Sequence, residues 1–259
     1  MDTFQINKLS KLHDGKNIIF CKTDFLQQEF EYIKTLNNDV VLITGNSDYC
    51  ISDDAVETAP KNIKKWFAQN AIGNHEKLEP IPIGFENENF CNRDGHGIGY
   101  AERVTEKERL VSSLSSIQPT KDIYCNFNLA TNFNYRSKIL EVCKKAPFIT
   151  VDQSNLLLKD FFENVSSHRM SVCPIGNGVD THRLWEVLYC GRIPITFKVG
   201  QFKIYDLYKQ LPIIILNTPS EILDKDLIEE KYQKELEKLE TTKSILDSKH
   251  WINKIKNVF

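Results

Sequence analysis

Residues 171–196 read SVCPIGNGVDTHRLWEVLYCGRIPIT and predict an apolar strand, a glycine-containing loop, a helix and a second strand. The loop 174–178 follows the apolar run, and Asp180 is a residue type favoured at a helix N-cap, so we expect the helix to begin there. The first N–H groups of a helix lack partners within it and attract anions. The segment therefore predicts a phosphate-binding loop. Its candidate contact residues are Gly176, Asn177 and Gly178.

The helix in this segment has a polar face and an apolar face. At 100° per residue, Arg183 and Glu186 share an arc of about 100° with His182 and Cys190. The planar fork of Arg183 suits phosphate oxygens, and Glu186 can accept hydrogen bonds from a diol such as a ribose. His182 is a further candidate donor contact. The alternative is the solvated face of an ordinary amphipathic helix, but the glycine stop at Gly191 and the apolar strand after it favour a built site.

Residues 181–195, THRLWEVLYCGRIPI, resemble the HR-WEAL-GCIPV signature of exostosin-type and related glycosyltransferases with the GT-B fold. The resemblance is clearest over residues 120–200. It implies that Glu186 faces the ribose of a nucleotide-sugar donor and that Arg183 faces the pyrophosphate, which agrees with the roles inferred from the residue types. Val187 stands where the family usually has alanine, so the sugar specificity of the family is not carried over.

A second arginine lies near another predicted helix start. Arg136 follows the predicted strand 122–126, and its position resembles that of the arginine after the FAG-type strand of exostosins. We therefore expect Arg136 to be a second phosphate contact and Asn126, at the strand end, to be a weaker donor contact. The alternative for Arg136 is an ordinary arginine on a helix surface.

The catalytic base of an inverting GT-B enzyme usually comes from the N-terminal domain. Asp48 follows the predicted strand 39–44, at the sheet edge where α/β proteins present functional groups, and is therefore our candidate for the base. The competing candidates are four residues in loop-like sequence, His75, Glu86, Glu88 and His96.

Metal and cofactor signatures are weak. A metal-dependent GT-A enzyme needs an Asp-Xaa-Asp triplet at a strand end, whereas the triplet 224–226 lies in a charged helical tail. Cys91, Asp94 and His96 have no complementary ligand pair for zinc. The first predicted strand is not followed by the GxGxxG loop of dinucleotide-binding oxidoreductases. We therefore expect no metal and no cofactor, with the nucleotide sugar serving as substrate.

Composition narrows the class of partner. The 259 residues are 41% hydrophobic and carry 33 Lys and Arg against 35 Asp and Glu, a formal charge of −2, so we expect no nucleic-acid partner. Seven scattered cysteines without a CxxC pair are typical of reduced thiols. No apolar run approaches the roughly 20 residues that span a bilayer. We expect a cytoplasmic protein, with peripheral membrane association and the oligomeric state left open.

Strands and helices alternate along the chain, which favours parallel sheets. We expect an α/β, GT-B-like fold in which two Rossmann-like domains face each other across a cleft, followed by charged helices from about residue 221. Residues 1–118 would form the acceptor-side domain. Residues 119–259 would form the nucleotide-sugar-binding domain with the terminal helices.

The sequence thus predicts a metal-independent glycosyltransferase that moves a sugar from a nucleotide-diphosphate sugar to a glycan or lipid-linked glycan. Surface polysaccharide biosynthesis is the expected setting. The alternative is a non-catalytic nucleotide- or glycan-binding protein that has the pocket but no productive acceptor site.

Overall fold

The structure, a computed structural model, describes residues 2–86, 101–152 and 156–259, without the side chains of residues 101–103. Two parallel sheets, one of four strands and one of five, organise this part of the chain. The expected α/β class with parallel sheets is therefore confirmed. The chain divides into two compact units, of which the first comprises Met1–Ala101, Gly200–Leu207 and Ser244–Phe259 and the second comprises Glu102–Val199 and Tyr208–Lys243.

The first unit contains the four-stranded sheet, whose strands follow their order in the chain. These are β1 (Ile18–Lys22), β2 (Val40–Gly45), β3 (Ile63–Ala68) and β4 (Leu78–Pro80). All six residues of β2 are buried, as expected for a central parallel strand with an apolar run, VVLIT. Helices α1 (Leu26–Ile33) and α2 (Asp53–Glu57) form its connections, and Ser52 caps α2 by accepting from the Ala55 N–H.

The second unit contains the five-stranded sheet. Its strands are β5 (Lys121–Cys125), β6 (Ile149–Val151), β7 (His168–Val172), β8 (Ile193–Phe197) and β9 (Ile214–Leu216). They lie in the order β6-β5-β7-β8-β9 and are all parallel. The chain leaves β5 towards β6 on one side and returns to β7 on the other, so the winding reverses between β5 and β7. Such a switch point leaves a crevice at the carboxyl ends of the strands, where α/β proteins bind ligands.

Helix α3 (Ala101–Leu114) precedes β5, and helices α4 (Phe133–Cys143), α5 (Leu158–Ser167) and α6 (His182–Tyr189) connect strands of this sheet. The short helix α7 (Ile204–Tyr208) comes before β9 in the chain, but all of it except Tyr208 belongs to the first unit. The core between sheet and helices is apolar and includes Ile123, Ile139 and Ile195, each at most 1% exposed. The predicted boundary at residue 118 stays a prediction, although α3 lies almost wholly in the second unit and residues 244–259 belong to the first.

The chain ends in three further helices, α8 (Lys225–Leu236), α9 (Lys238–Thr241) and α10 (Ser248–Lys256). Asp224 is the N-cap of α8 and accepts from the Leu227 N–H at 3.0 Å. The Asp-Xaa-Asp triplet therefore begins a helix, with its first carboxylate used as a cap. Among the residues that the structure describes, none of the helices has both the length and the apolar character needed to cross a membrane.

Candidate functional site

Most of the predicted donor-site residues meet at the switch point of the second unit. Asn126 directly follows β5, and the loop 173–178 follows β7, so both lie at the carboxyl edge of the sheet. Arg136 comes from α4, and Arg183 and Glu186 come from α6. The reversal of winding between β5 and β7 thus coincides with the residues singled out from the sequence.

Arg136 is buried, at 7% exposure, and holds the glycine loop in place. Its guanidinium donates from Nε to the Ile175 carbonyl at 2.8 Å, from Nη1 to the Asn128 carbonyl at 2.6 Å and from Nη2 to the Pro174 carbonyl at 3.2 Å. Burial, followed by the nearby charge of Arg183, lowers the pKa of Arg136 to about 10. The positive charge of Arg183 is therefore near enough to disfavour the charged form of Arg136.

Gly176 lets the loop pass close to Arg136. A Cβ atom on Gly176 would lie 3.2 Å from Arg136 Nη2, a tight contact that would require the guanidinium to shift slightly. The Gly176 N–H donates to the Gly178 carbonyl at 3.0 Å, and Asn132 Nδ2 donates to the Gly176 carbonyl at 3.0 Å. The loop is thus a tight turn that contacts α4. Asn177, at its tip, is exposed.

Arg183 is fixed on two edges and one face. Its Nη1 donates to the carbonyl oxygen of Asn126, with Asn126 Oδ1 at 3.3 Å, and its Nε donates to Glu186 Oε2 at 3.1 Å. The guanidinium carbon lies 3.8 Å from the centroid of the Phe161 ring. The side chain remains 26% exposed. Nη2 has no hydrogen-bond acceptor among the described residues, so this edge is the one that a ligand would meet.

Glu186 lies beneath Arg183 and is shared by two cations. Its side chain is 8% exposed, and its Oε1 accepts from Lys107 Nζ at 2.5 Å while Oε2 accepts from Arg183. Burial alone would raise the pKa of Glu186, but the charges of Lys107 and Arg183, with a smaller effect of His182, lower it to about 2. Glu186 is therefore a buried carboxylate that stays ionised.

Lys107 was missed in the sequence, although a signal for it exists. Val104, Lys107 and Leu110 are spaced by three residues along α3 and are 4%, 2% and 5% exposed, so the lysine occupies the apolar stripe of its helix. With Lys107, Arg136 and Arg183 against Glu186, these four side chains carry three positive charges and one negative charge, a net charge of +2. Such a net charge suits a diphosphate.

The start of α6 differs from the prediction. The N-cap is Thr181, not Asp180, and its side chain makes no capping hydrogen bond. Asp180 is buried instead and accepts from Trp185 Nε1 at 2.8 Å and from the Tyr208 hydroxyl at 2.6 Å. These long-range partners occupy the carboxylate, so the prediction of Asp180 as the cap was wrong.

The first turn of α6 contains no acidic residue and begins with His182 and Arg183, both half-buried. Acidic residues in the first turn would stabilise the helix, whereas cations are unfavourable there, at the positive end of the helix dipole. Together with the missing side-chain cap, this makes the first turn a suitable place for an anion. The helix is otherwise more buried than its sequence pattern indicated, since Glu186 and Cys190 lie inside rather than on a solvated face.

The candidate base lies in the first unit. Asp48 is exposed and follows the last residue of β2, Gly45, by three positions. Among its competitors, His75 is half-buried and accepts from the Lys77 N–H at Nδ1, while Glu86 is buried. Glu88 and His96 lie outside the described residues, so the choice of base stays a prediction.

Within the described ranges, no group of three or more His, Cys, Asp or Glu side chains has an arrangement that could hold a metal ion. Cys91, Asp94 and His96, considered above for zinc, lie outside those ranges. The expected independence from metal stays a prediction.

No protein-family model and no curated protein matches the chain. Among solved structures, it is similar to the pneumococcal O-GlcNAc transferase GtfA in complex with UDP and GlcNAc, with 12% identity and a TM-score of 0.46 over 98% of this chain and 59% of that chain. It is also similar to an alpha1,3-fucosyltransferase, with 10% identity and a TM-score of 0.37 over 85% of this chain and 82% of that chain. The chain therefore spans less than two thirds of the length of the first of these proteins.

Proposed function

We propose that the chain is a glycosyltransferase of GT-B type, related to the exostosin-like family, that uses a nucleotide-diphosphate sugar as donor. The placement of Arg183 at the switch point of the second sheet carries this proposal. Asn126, Glu186 and the Phe161 ring hold its guanidinium, and its Nη2 has no acceptor among the described residues. Arg136, buried against the same loop, adds a second positive charge nearby. A fixed guanidinium edge in a positively charged setting is suited to a diphosphate.

The chemistry requires positive charge at the departing group. As the bond between the anomeric carbon and the β-phosphate oxygen breaks, its electron pair passes to the diphosphate, whose negative charge grows. Arg183 and the first turn of α6 would stabilise that charge more in the transition state than in the ground state. Arg136 would act mainly by holding the loop 174–178, because three of its N–H groups already donate to backbone carbonyls.

The acceptor would be a glycan or a lipid-linked glycan bound by the first unit. In an inverting reaction its hydroxyl oxygen attacks the anomeric carbon, and Asp48 takes the hydroxyl proton. We further propose that the reaction needs no metal, because the cations of the site supply the charge that a metal would bring. A role in surface polysaccharide biosynthesis on the cytoplasmic side of a membrane, with peripheral association, completes the proposal.

A turnover assay with a panel of UDP-, GDP-, ADP- and CMP-linked sugars tests this function. We expect the wild type to hydrolyse or transfer the sugar of at least one donor, and the folded Arg183→Ala variant to lose at least about 100-fold in kcat. Lys138→Ala, which removes an exposed charge from α4, is the matched control and should keep full turnover. Unchanged turnover in Arg183→Ala would contradict the site assignment.

The same panel separates the enzyme from the alternative of a non-catalytic binding protein. Tight binding of a nucleotide sugar without release of its nucleotide, in the presence of varied glycan acceptors, would favour the binding protein.

A further inference from the structure

Lys107 is the most deeply buried charge in the candidate site. Its side chain is 2% exposed, and its Nζ lies 2.5 Å from Oε1 of Glu186. The two residues are 79 positions apart in the sequence and lie on different helices. Burying a lysine and a glutamate costs free energy that their mutual attraction barely offsets, and apolar residues of the same shape often give equal or better stability. Stability alone therefore gives little reason for a lysine at this position.

The surroundings of Glu186 show what the lysine changes. Among the described residues, the charged or titratable groups that face this carboxylate are Lys107 from α3, His182 and Arg183 from α6, Cys190 directly after α6, and Cys173 from the loop after β7. The thiols of Cys173 and Cys190 are buried, and burial raises the pKa of each to about 12, so both are neutral at physiological pH. Within the part of the chain that the structure describes, Lys107, Arg183 and His182 therefore remain to balance the charge of Glu186.

A single positive charge on Arg183 cannot fully balance two anions. If Arg183 were the only cation beside Glu186, the two side chains would form a pair with no net charge. A phosphate at Nη2 would then be attracted only weakly. With Lys107 present, Glu186 Oε1 accepts from a second cation, and Arg183 donates to Oε2 only through its Nε. The guanidinium keeps its net positive charge towards the ligand, and the carboxylate keeps the guanidinium aligned.

We propose that Lys107 is a positioning residue of the donor site, which balances Glu186 so that Arg183 can both be held by that carboxylate and bind the diphosphate of the donor. This inference rests on the proposed function, because it assumes that a diphosphate binds at Arg183. It assigns to α3 a part in donor recognition that the signature in residues 181–195 does not contain.

The proposal predicts a pH dependence of defined sign. In Lys107→Met at high pH, the ionised Glu186 is balanced mainly by Arg183. The carboxylate then cancels the positive charge of Arg183, so binding of a nucleoside diphosphate weakens. Without Lys107, burial raises the pKa of Glu186 against the remaining charges of Arg183 and His182, and as the pH falls a proton on Glu186 takes over the balancing role of Lys107. The loss of affinity should therefore be largest at high pH and shrink towards low pH.

Isothermal titration calorimetry with UDP and GDP tests this dependence between pH 5.5 and 8. The ratio of variant to wild-type dissociation constants cancels the titration of the nucleotide's own terminal phosphate. We expect Lys107→Met to raise the dissociation constant at least about tenfold at pH 8 and less than about threefold at pH 5.5. Lys107→Arg, which keeps the charge, should restore most of the affinity.

Two further variants complete the test. Lys107→Met combined with Glu186→Gln removes both charges and should recover much of the affinity. The ratio of its dissociation constant to that of the wild type should not depend on pH. This double variant also keeps the test decisive if Lys107→Met does not fold. Lys138→Met, on the exposed side of α4, should match the wild type.

A loss in Lys107→Met that is the same at every pH would overturn the proposal and leave Lys107 a structural residue. An unchanged affinity would overturn it as well. Failure of the wild type to bind any nucleotide would instead refute the proposed function itself, and the two failures are thereby distinguished.

Discussion

The guanidinium carbon of Arg183 lies 3.8 Å from the centre of the Phe161 ring, so an aromatic face of α5 covers one face of the arginine. Asn126 and Glu186 accept from two of its nitrogens. The ring and the two acceptors hold the guanidinium in one orientation. A ligand that binds its remaining edge therefore does not pay the entropic cost of ordering the arginine side chain. Such preorganisation makes an arginine effective in binding and in stabilising a leaving group.

Replacing the aromatic ring should weaken ligand binding without removing any ligand contact. We expect Phe161→Leu to lose about 0.5–1 kcal/mol of nucleoside diphosphate affinity, roughly a two- to fivefold rise in the dissociation constant, because the cation–π contact that orders Arg183 is lost. Titration calorimetry measures the change. Phe162→Leu, a fully buried neighbour on the same helix, should lower stability comparably and leave affinity alone. Equal effects of both variants on affinity would argue against a role for the ring.

Asp180 should matter far more to stability than a helix cap does. Asp180→Ala leaves Trp185 Nε1 and the Tyr208 hydroxyl buried without this acceptor, and we expect a loss of about 2–4 kcal/mol, against about 1 kcal/mol for a lost cap. Asp180→Asn keeps the accepting oxygen and should lose less than half as much. Thermal and urea denaturation check this order. A loss of only about 1 kcal/mol in Asp180→Ala would restore the capping interpretation.

The buried carboxylate also predicts how stability depends on acid. The folded-state pKa of Glu186 is about 2, below its ordinary value of 4.5, so the folded protein holds fewer protons than the unfolded chain between these values. The resulting stabilisation is complete above pH 4.5 and is lost as the pH falls towards 2. Urea denaturation midpoints should therefore fall more steeply in this window for the wild type than for the Lys107→Met/Glu186→Gln double variant. Parallel curves would contradict the low pKa.

Asp48 should affect turnover and not donor binding. Asp48→Asn removes the proposed proton acceptor, so we expect kcat to fall at least about 100-fold while the dissociation constant of the nucleotide stays within twofold. Asp54→Asn, an exposed aspartate in the same unit, is the control and should behave as the wild type. A kcat of Asp48→Asn within twofold of the wild type would transfer the role to another residue, with His75 and Glu86 the next to be changed.

Local pattern was enough to predict the parallel α/β class and the closeness of Arg183 and Glu186. Apolar runs such as VVLIT in β2 predict buried strands, and two residues three apart on a helix are neighbours whatever the tertiary structure. The helix α2 was not predicted, because five residues with two aspartates show no clear periodicity.

Long-range partners account for what the sequence could not reveal. Asp180 has the residue type of a cap, but Tyr208, 28 positions later, competes for its carboxylate. The spacing of Lys107 with Val104 and Leu110 indicates that the lysine is buried, but its partner Glu186 lies 79 positions away and does not follow from the sequence. Arg136 was predicted as a phosphate contact, yet its guanidinium donates to the carbonyls of residues 174 and 175, which only the folded β5 and β7 bring within reach.

The central claim is that Arg183 at the switch point binds the diphosphate of a nucleotide. Titration of UDP, GDP and ADP into the wild type and into Arg183→Ala, with folding of the variant checked by circular dichroism, tests it most directly. We predict saturable binding of at least one of these nucleotides to the wild type and a dissociation constant at least about thirtyfold higher in the folded variant. A wild type that binds none of them, or a folded Arg183→Ala that binds as tightly as the wild type, would contradict the claim.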